Sequence, residues 1–168
     1  NNKGIINEMK IERIEISFLE ASLEKPFGWS QRWTNTRSVI VLKIITDDGI
    51  VGWGETYGSS DSIPVTTTVA KMVIGEDPNH LGKIWTTLYR FFYQGHNLAK
   101  DVGNAISAID TALHDIVGKS TQKSVSDIMG GRIRDSITVY ATGLYYVDDY
   151  ALEPLLKEAT TYAEQGFT

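Results

Sequence analysis

The chain contains no cysteine, which excludes disulfides, thiolate zinc sites and cysteine nucleophiles, and leans toward a cytoplasmic setting. No apolar run approaches the roughly 20 residues that a membrane-spanning helix needs, and no charged-then-apolar leader can be read. A soluble protein with no membrane partner is expected. Clustered positive charge is also missing: 16 basic residues face 21 acidic ones, for a net charge of −5. That balance argues against a nucleic-acid partner, which would need a basic footprint. Histidines number only 3. His80 and His96 have no partner at metal-ligand spacing and read as surface residues. His114 follows Asp110 by one helical turn and could pair with it, and the favoured reading is an orienting or ion-paired histidine on a packed helix.

What is present is enough apolar material for a substantial core, 42% of 168 residues. Asn1 to Glu8 is polar and precedes Met9, so residues 1–8 read as a disordered extension with no part in the fold. Lys10 to Leu19 alternates, with Ile14, Ile16 and Phe18 on one face and Arg13, Glu15 and Ser17 on the other, as a half-buried strand does. Glu20 to Arg37 breaks the alternation and carries Pro26, Gly28, Phe27, Trp29 and Trp33 among polar residues, a composition that predicts a long loop. Its aromatics either pack back on their own domain or face a partner or ligand. Ser38 to Thr46 is a β-branched run suited to a central strand, and Asp47-Asp48-Gly49 supplies a positive-φ turn into Ile50 to Glu55. Three antiparallel strands then form a meander with one face to cover.

Helices supply the cover. Pro64 opens a segment with Val65, Val69, Met72 and Val73 on one side, ended by Gly75. Asp77-Pro78 begins another, with Leu81, Ile84, Trp85, Leu88, Phe91 and Phe92 at helical spacing as far as Gly95. In a third, Ile106, Ile109, Leu113, Ile116 and Val117 share a face beside small Ala108 and Ala112; Asn104 is its expected cap and Gly118 its expected end. Ser124 opens a short fourth helix with Asp127 at the capping-box position, and Gly130-Gly131 stops it. An antiparallel sheet with helices segregated to one side is an α+β arrangement. After Arg134 the pattern changes: Ser136 to Thr142 reads as a strand and Asp149 to Gln165 as a helix, a βα unit that cannot bury both its faces alone.

The run SAIDTALHDIVGK, followed by the short helix and MGGR, together with DGIVGWGE at Asp48 to Glu55, resembles the N-terminal domain of the mandelate racemase and muconate lactonising enzyme group of the enolase superfamily. The resemblance extends from about Met9 to the last residue. One departure is Ser124, where the family commonly has proline. The resemblance implies an α+β capping domain at residues 9–134, then at 135–168 the first strand and helix of a (β/α)₇β barrel. A complete barrel takes about 250 residues, so most of it would follow Thr168.

The activity implied is Mg²⁺-dependent abstraction of a proton α to a carboxylate, leading to racemisation or epimerisation, cycloisomerisation or acid-sugar dehydration, with a metal stabilising the enolate while a lysine or histidine takes the proton. The metal ligands and bases are expected after Thr168, so no catalytic or metal-binding residue is assigned in this chain. The ending Glu164 to Thr168 resembles the approach to the strand bearing the first lysine base and leans toward the muconate lactonising branch. The partner implied is a small carboxylate substrate, in a homo-oligomer of the full-length enzyme.

In the resembling family the loops after the first and third strands of the cap close over the barrel mouth, which makes Phe27, Trp29, Trp33 and Tyr57 candidate substrate-binding lid residues. Barrel sites lie at the C-terminal ends of strands, which adds Thr142 and Tyr145, while Val139 suits packing. A lid this aromatic favours an apolar or cationic distal group over a polyhydroxylated acid. Gly52 to Gly58 is a poor dinucleotide fingerprint, because its last glycine is one place late and it finishes a hairpin rather than opening a helix. Glu55 at that strand end is expected to make a structural hydrogen bond. The alternative to an enzyme is a non-catalytic binding or interaction module formed by the capping domain alone.

Overall fold

A computed structural model describes residues 8–94, 100–147 and 150–167 of the chain. The expected extension at Asn1 to Asn7, and the expected features at Gly95, His96, Asp149 and Thr168, lie outside the described residues. Three strands, β1 (Ile11–Trp29), β2 (Arg32–Thr46) and β3 (Val51–Thr56), form a sheet in the order β1-β2-β3. The α-helices among the described residues are α1 (Ile63–Lys71), preceded by a 3₁₀ turn at Ser60–Ser62, α2 (Leu81–Gln94), α3 (Lys100–Thr121), α4 (Val125–Ile128) and α5 (Leu152–Glu164). They divide between two compact units, one of residues 1–19 and 38–132 and one of residues 20–37 and 133–168.

The first unit is the predicted meander with its helical cover. β2 pairs antiparallel with β3 from Ile40↔Thr56 to Ile45↔Val51, and the turn between them places Gly49 at φ 88°. Thr46 holds that turn through its hydroxyl, which bonds Asp48 and the Ile50 backbone. Ile40, Leu42 and Ile44 alternate into a core with Val69, Val73, Ile84, Leu88, Ile109, Leu113 and Ile116, and Ile14, Ile16 and Phe18 pack against it as their alternation predicts.

The contact that sets this core is α3 against β3. Gly52 and Gly54 face α3, and a Cβ built on either would fall on a backbone carbonyl oxygen, that of Ala112 and of Ala108 respectively. With Ala105, Ala108 and Ala112 fully buried on the helix side, backbone meets backbone with almost no side chain between. The free edge of β3 is covered by the same helix. Trp53 donates its backbone N–H to Asp115 Oδ2 at 2.9 Å, and Lys119 Nζ reaches both the Val51 carbonyl and Asp115 at 2.7 Å. These bonds occupy edge groups that would otherwise invite another strand.

Three expectations need correction. Residues 20–37 are not a loop: β1 runs on to Trp29 and β2 starts at Arg32, so the segment is a hairpin turning at Ser30, φ 54°. Pro26, which argued for a loop, sits in an edge strand, where a missing N–H costs no ladder bond. Neither Asn104 nor Gly118 bounds α3. The helix ends at Gln122, φ 55°, with the Lys123 N–H bonded to the Gly118 carbonyl at 3.1 Å, a Schellman-type closure made without glycine at the left-handed position. Asn104 instead donates its side-chain amide to the Tyr57 carbonyl at 3.1 Å. Finally, Ser136 to Thr142 forms no ladder with any described residue, and Ile137, Val139 and Tyr140 are exposed. A strand is made by its partners.

Other expectations hold as read. Pro64 starts α1, and Ser124 caps α4 by accepting the Asp127 N–H while its hydroxyl donates to Asp127 Oδ2 at 2.6 Å. Gly130 and Gly131 follow at φ 109° and 101°.

Gly54→Ala is expected to lower stability by about 1–3 kcal/mol through overpacking. Gly103→Ala is expected to raise it by about 0.5–1 kcal/mol, since Gly103 lies inside α3 with nothing within 4 Å of the added carbon. Urea unfolding of the two variants beside the parent checks both signs.

Candidate functional site

The second unit gathers most of the candidate residues. At the hairpin end, Phe27 and Trp29 alternate along β1 with ring centroids 5.9 Å apart. Tyr145 meets both edge-on, at 4.9 Å from Phe27 and 6.4 Å from Trp29. The backbone fixes this meeting: Gly28 and Tyr146 exchange two N–H···O bonds of 2.8 Å, an isolated antiparallel bridge. On the other side Trp33 packs edge-on to Tyr150 at 5.3 Å and donates its indole N–H to the Tyr150 hydroxyl at 3.1 Å, while Tyr146 lies 4.9 Å from Tyr150. Edge-to-face rings and a satisfied indole donor make this a specified cluster, not a chance grouping of exposed aromatics. Gly28 is required at its centre, because a Cβ there would sit 2.8 Å from the Trp33 ring.

Of the six candidates, then, Phe27, Trp29 and Tyr145 share one cluster and Trp33 joins a neighbouring one. Thr142 is exposed and makes no hydrogen bond with a described residue. Tyr57 belongs to the first unit, where it is 74% exposed and lines a shallow hollow with Ser38, Val39, Glu55 and Thr56. Asn104, and Ser38 through its bond to the Gly58 carbonyl at 3.1 Å, pin that loop from both sides. The structural hydrogen bond expected of Glu55 is not made: the side chain is exposed and has no partner among the described residues. Its position on the outward side of an edge strand explains this.

Sequence reading missed Arg37, Tyr146 and Tyr150. The Arg37 guanidinium carbon stands 4.6 Å over the centroid of the Phe27 ring. The doublet Tyr145-Tyr146 was the available signal, since adjacent residues of an extended segment face opposite ways and can serve two aromatic neighbours at once.

Elsewhere in this unit Glu158 accepts from the Tyr162 hydroxyl at 2.7 Å, directly over Gly143, where a Cβ would strike both groups. That hydrogen bond, with burial and the carboxylate charge adding to it, raises the Tyr162 phenol above its ordinary value of 10.0. In the first unit His114 is orienting, as favoured: its Nδ1 lies 2.8 Å from the Asp110 carbonyl and 3.5 Å from Asp110 Oδ2.

No group of three or more acids and histidines converges among the described residues in a way that could hold a metal ion. The described side chains therefore do not by themselves fit a Mg²⁺ site. Nor is any helix among the described residues long and apolar enough to cross a membrane.

Residues 13–130 match the family described as the mandelate racemase / muconate lactonizing enzyme, N-terminal domain. The chain belongs to this family. It is 36% identical over 148 residues to the D-galactarolactone cycloisomerase of Agrobacterium fabrum, a match covering 84% of this chain and 37% of that protein. Among solved structures it is similar to an enolase-superfamily member from Polaromonas, with a TM-score of 0.77 and 31% identity over 94% of this chain and 42% of that one. It is also similar to the L-talarate/galactarate dehydratase of Salmonella typhimurium liganded with Mg and L-lyxarohydroxamate, with a TM-score of 0.76 and 25% identity over 99% and 44%. The chain thus spans little more than a third of the length of the curated relatives it matches, 37% and 35% for two of them. As a family member it has the α+β capping fold, and relatives of the enolase superfamily are enzymes named as cycloisomerases and dehydratases.

Glu158→Gln is expected to bring Tyr162 back down toward 10.0, because the hydrogen bond to a carboxylate and its charge both disappear. Phenolate absorbance during an alkaline titration checks the direction: one tyrosine should ionise at lower pH in the variant than in the parent.

Proposed function

We propose that this chain is the capping part of a Mg²⁺-dependent enolase-superfamily enzyme, with residues 9–134 as the cap and residues 135–168 as the start of its barrel, in which Ser136 to Thr142 becomes a strand only when a neighbouring barrel strand pairs with it. The enzyme abstracts the proton α to the carboxylate of a sugar acid, and the outcome is dehydration or cycloisomerisation. The similarity to a galactarolactone cycloisomerase over 84% of the chain carries this reading. It also moves the substrate away from the apolar or cationic group that an aromatic lid first suggests, since sugar rings and chains can lay C–H faces on aromatic walls too. A cytoplasmic homo-oligomer is the setting proposed.

In this reading Phe27, Trp29, Trp33 and Tyr57 are lid residues, and Thr142 and Tyr145 belong to the mouth of the barrel. The work of the chain's own residues is to bind and enclose, not to transfer the proton. Phe27, Trp29 and Tyr145 make a wall whose rings are held by one another, so its shape exists before substrate arrives. Closing such a wall over a developing enolate excludes water and strengthens every charge interaction inside. The unpartnered, exposed Tyr57 hydroxyl is available to a substrate hydroxyl.

The test uses the full-length enzyme in deuterium oxide with Mg²⁺ and a panel of sugar acids, following loss of the α-proton signal by NMR. Metal-dependent exchange with at least one sugar acid is expected, and none across the panel would contradict the reading. Trp29→Ala is expected to lower kcat/KM on that substrate about 10- to 100-fold, or about 1.4–2.7 kcal/mol. The larger share should appear in KM, because the residue encloses the substrate and does not take the proton.

A further inference from the structure

We infer that the flank of α2 carrying Gly82, Thr86, Tyr89 and Tyr93 is the seam on which a second copy of this protein docks, its own α2 lying antiparallel to the first. The inference rests on the homo-oligomer proposed above, to which it gives a contact, and on nothing about the substrate. It begins from a helix whose two flanks differ. Ile84 and Leu88 are buried in the core, with Leu81 and Phe92 packed against it. On the adjoining flank Trp85, Tyr89 and Tyr93 are 43%, 37% and 61% exposed, yet their rings are already ordered. Trp85 stacks on Tyr89 with centroids 4.9 Å apart and planes within 7°, and Tyr89 stacks on Tyr93 at 5.7 Å and 13°. The indole N–H and both hydroxyls have no hydrogen-bond partner among the described residues.

The repeat on that flank is specific. Gly82, Thr86, Tyr89 and Tyr93 follow one another at steps of four, three and four residues, the spacing by which one helix lays a continuous seam along another. The small residues lie in the N-terminal half and the large ones in the C-terminal half. Against a parallel copy, large would meet large. Against an antiparallel copy, Gly82 comes level with Tyr93 of the second copy and Thr86 with its Tyr89, and a two-fold axis makes each contact twice. Nothing lies within 4 Å of a Cβ built on Gly82, so the space that a tyrosine ring needs is open. The same register sets Arg90 level with Trp85 of the second copy, where a guanidinium can lie on an indole face. Covering the stacked rings removes about 300 Å² of surface per copy, since such side chains bury about 150–250 Å² each. Counted on both copies, that supplies the apolar centre of an interface in the roughly 1,200–2,000 Å² range of stable complexes. The rings are ordered before docking, which lowers the entropy lost on contact.

The experiment uses the full-length protein. These 168 residues contain no cysteine, so a Gly82→Cys, Tyr93→Cys double variant reads the register directly. The two positions are about 16 Å apart along one helix, too far for a disulfide within a chain, but they are level between antiparallel copies. Mild oxidation is expected to give a disulfide-linked dimer from the double variant and from neither single variant. Sedimentation equilibrium is expected to show Gly82→Leu raising the dissociation constant of the dimer at least 10-fold. Thr87→Leu, which adds bulk on the far side of α2, should leave it within about twofold.

No cross-link in the double variant, equal cross-linking of a single variant, a monomer at every concentration, or equal effects of Gly82→Leu and Thr87→Leu would each overturn the inference. Thermal melting identifies a loss of fold, and Gly82→Leu reads the same contact with every ring in place if the double variant melts early. Metal-dependent α-proton exchange by a protein that fails these tests leaves the sugar-acid reading standing, and a cross-linked protein that exchanges no sugar acid leaves the seam standing.

Discussion

The structure depends on how closely one helix can approach one strand. Because β3 has glycine at positions 52 and 54 and α3 has alanine at 105, 108 and 112, the helix backbone lies against the strand backbone, and everything else in the first unit is placed by that seating. The large side chains of α3, Ile109, Leu113 and Ile116, then reach the β2 residues Ile40, Leu42 and Ile44 and form the centre of the core. Close packing of this kind leaves no slack: an added methyl group at Gly54 has no void to enter and must displace a backbone. The same seating brings Asp115 and Lys119 to the outer edge of β3, so the helix that buries the sheet's face also occupies its edge.

The second unit is held differently. Among the described residues it has no comparable aliphatic centre: none of the buried core cluster belongs to 20–37 or 133–168. Among the described residues, the β1–β2 hairpin is joined to the segment after residue 132 by rings meeting edge-on, one two-bond backbone bridge and one indole hydrogen bond. Such contacts define a surface more sharply than they stabilise it, since each aromatic pair contributes only about 0.5–1.5 kcal/mol beyond burial. Held by contacts of this kind, the segment is expected to open locally at a lower free energy than the aliphatic core of the first unit.

The sequence made the first unit legible because its signals are periodic and local. Alternation located β1 through Phe18, a β-branched run located β2, the Asp-Asp-Gly turn tied β2 to β3, and Ser124 with Asp127 announced α4. The errors fall where a local rule competed with a longer-range partner. Pro26 and Gly28 read as loop residues, yet both are accommodated in strand by being at an edge and under a tryptophan. Gly118 reads as a stop, yet the helix continues three residues further and closes on Gln122. Among the candidate site residues, composition alone drew attention to Phe27, Trp29 and Trp33, but their partners Tyr145, Tyr146 and Tyr150 lie more than a hundred residues away, and no periodicity spans that distance. Arg37 was invisible for the same reason, because a cation over a ring has no signature in spacing.

Native-state hydrogen exchange of the full-length protein, with and without a saturating sugar acid such as galactarate, tests most directly the proposal that the aromatic wall of the second unit, softer than the glycine-seated core of the first, takes a sugar acid. Amides of α3 and the β2–β3 ladder are expected to exchange only through global unfolding in both conditions. Amides of residues 20–37 should exchange through a smaller opening free energy and slow markedly when the acid binds. Equal protection of both regions in the free enzyme, or no change at residues 20–37 under saturating ligand, would contradict the account.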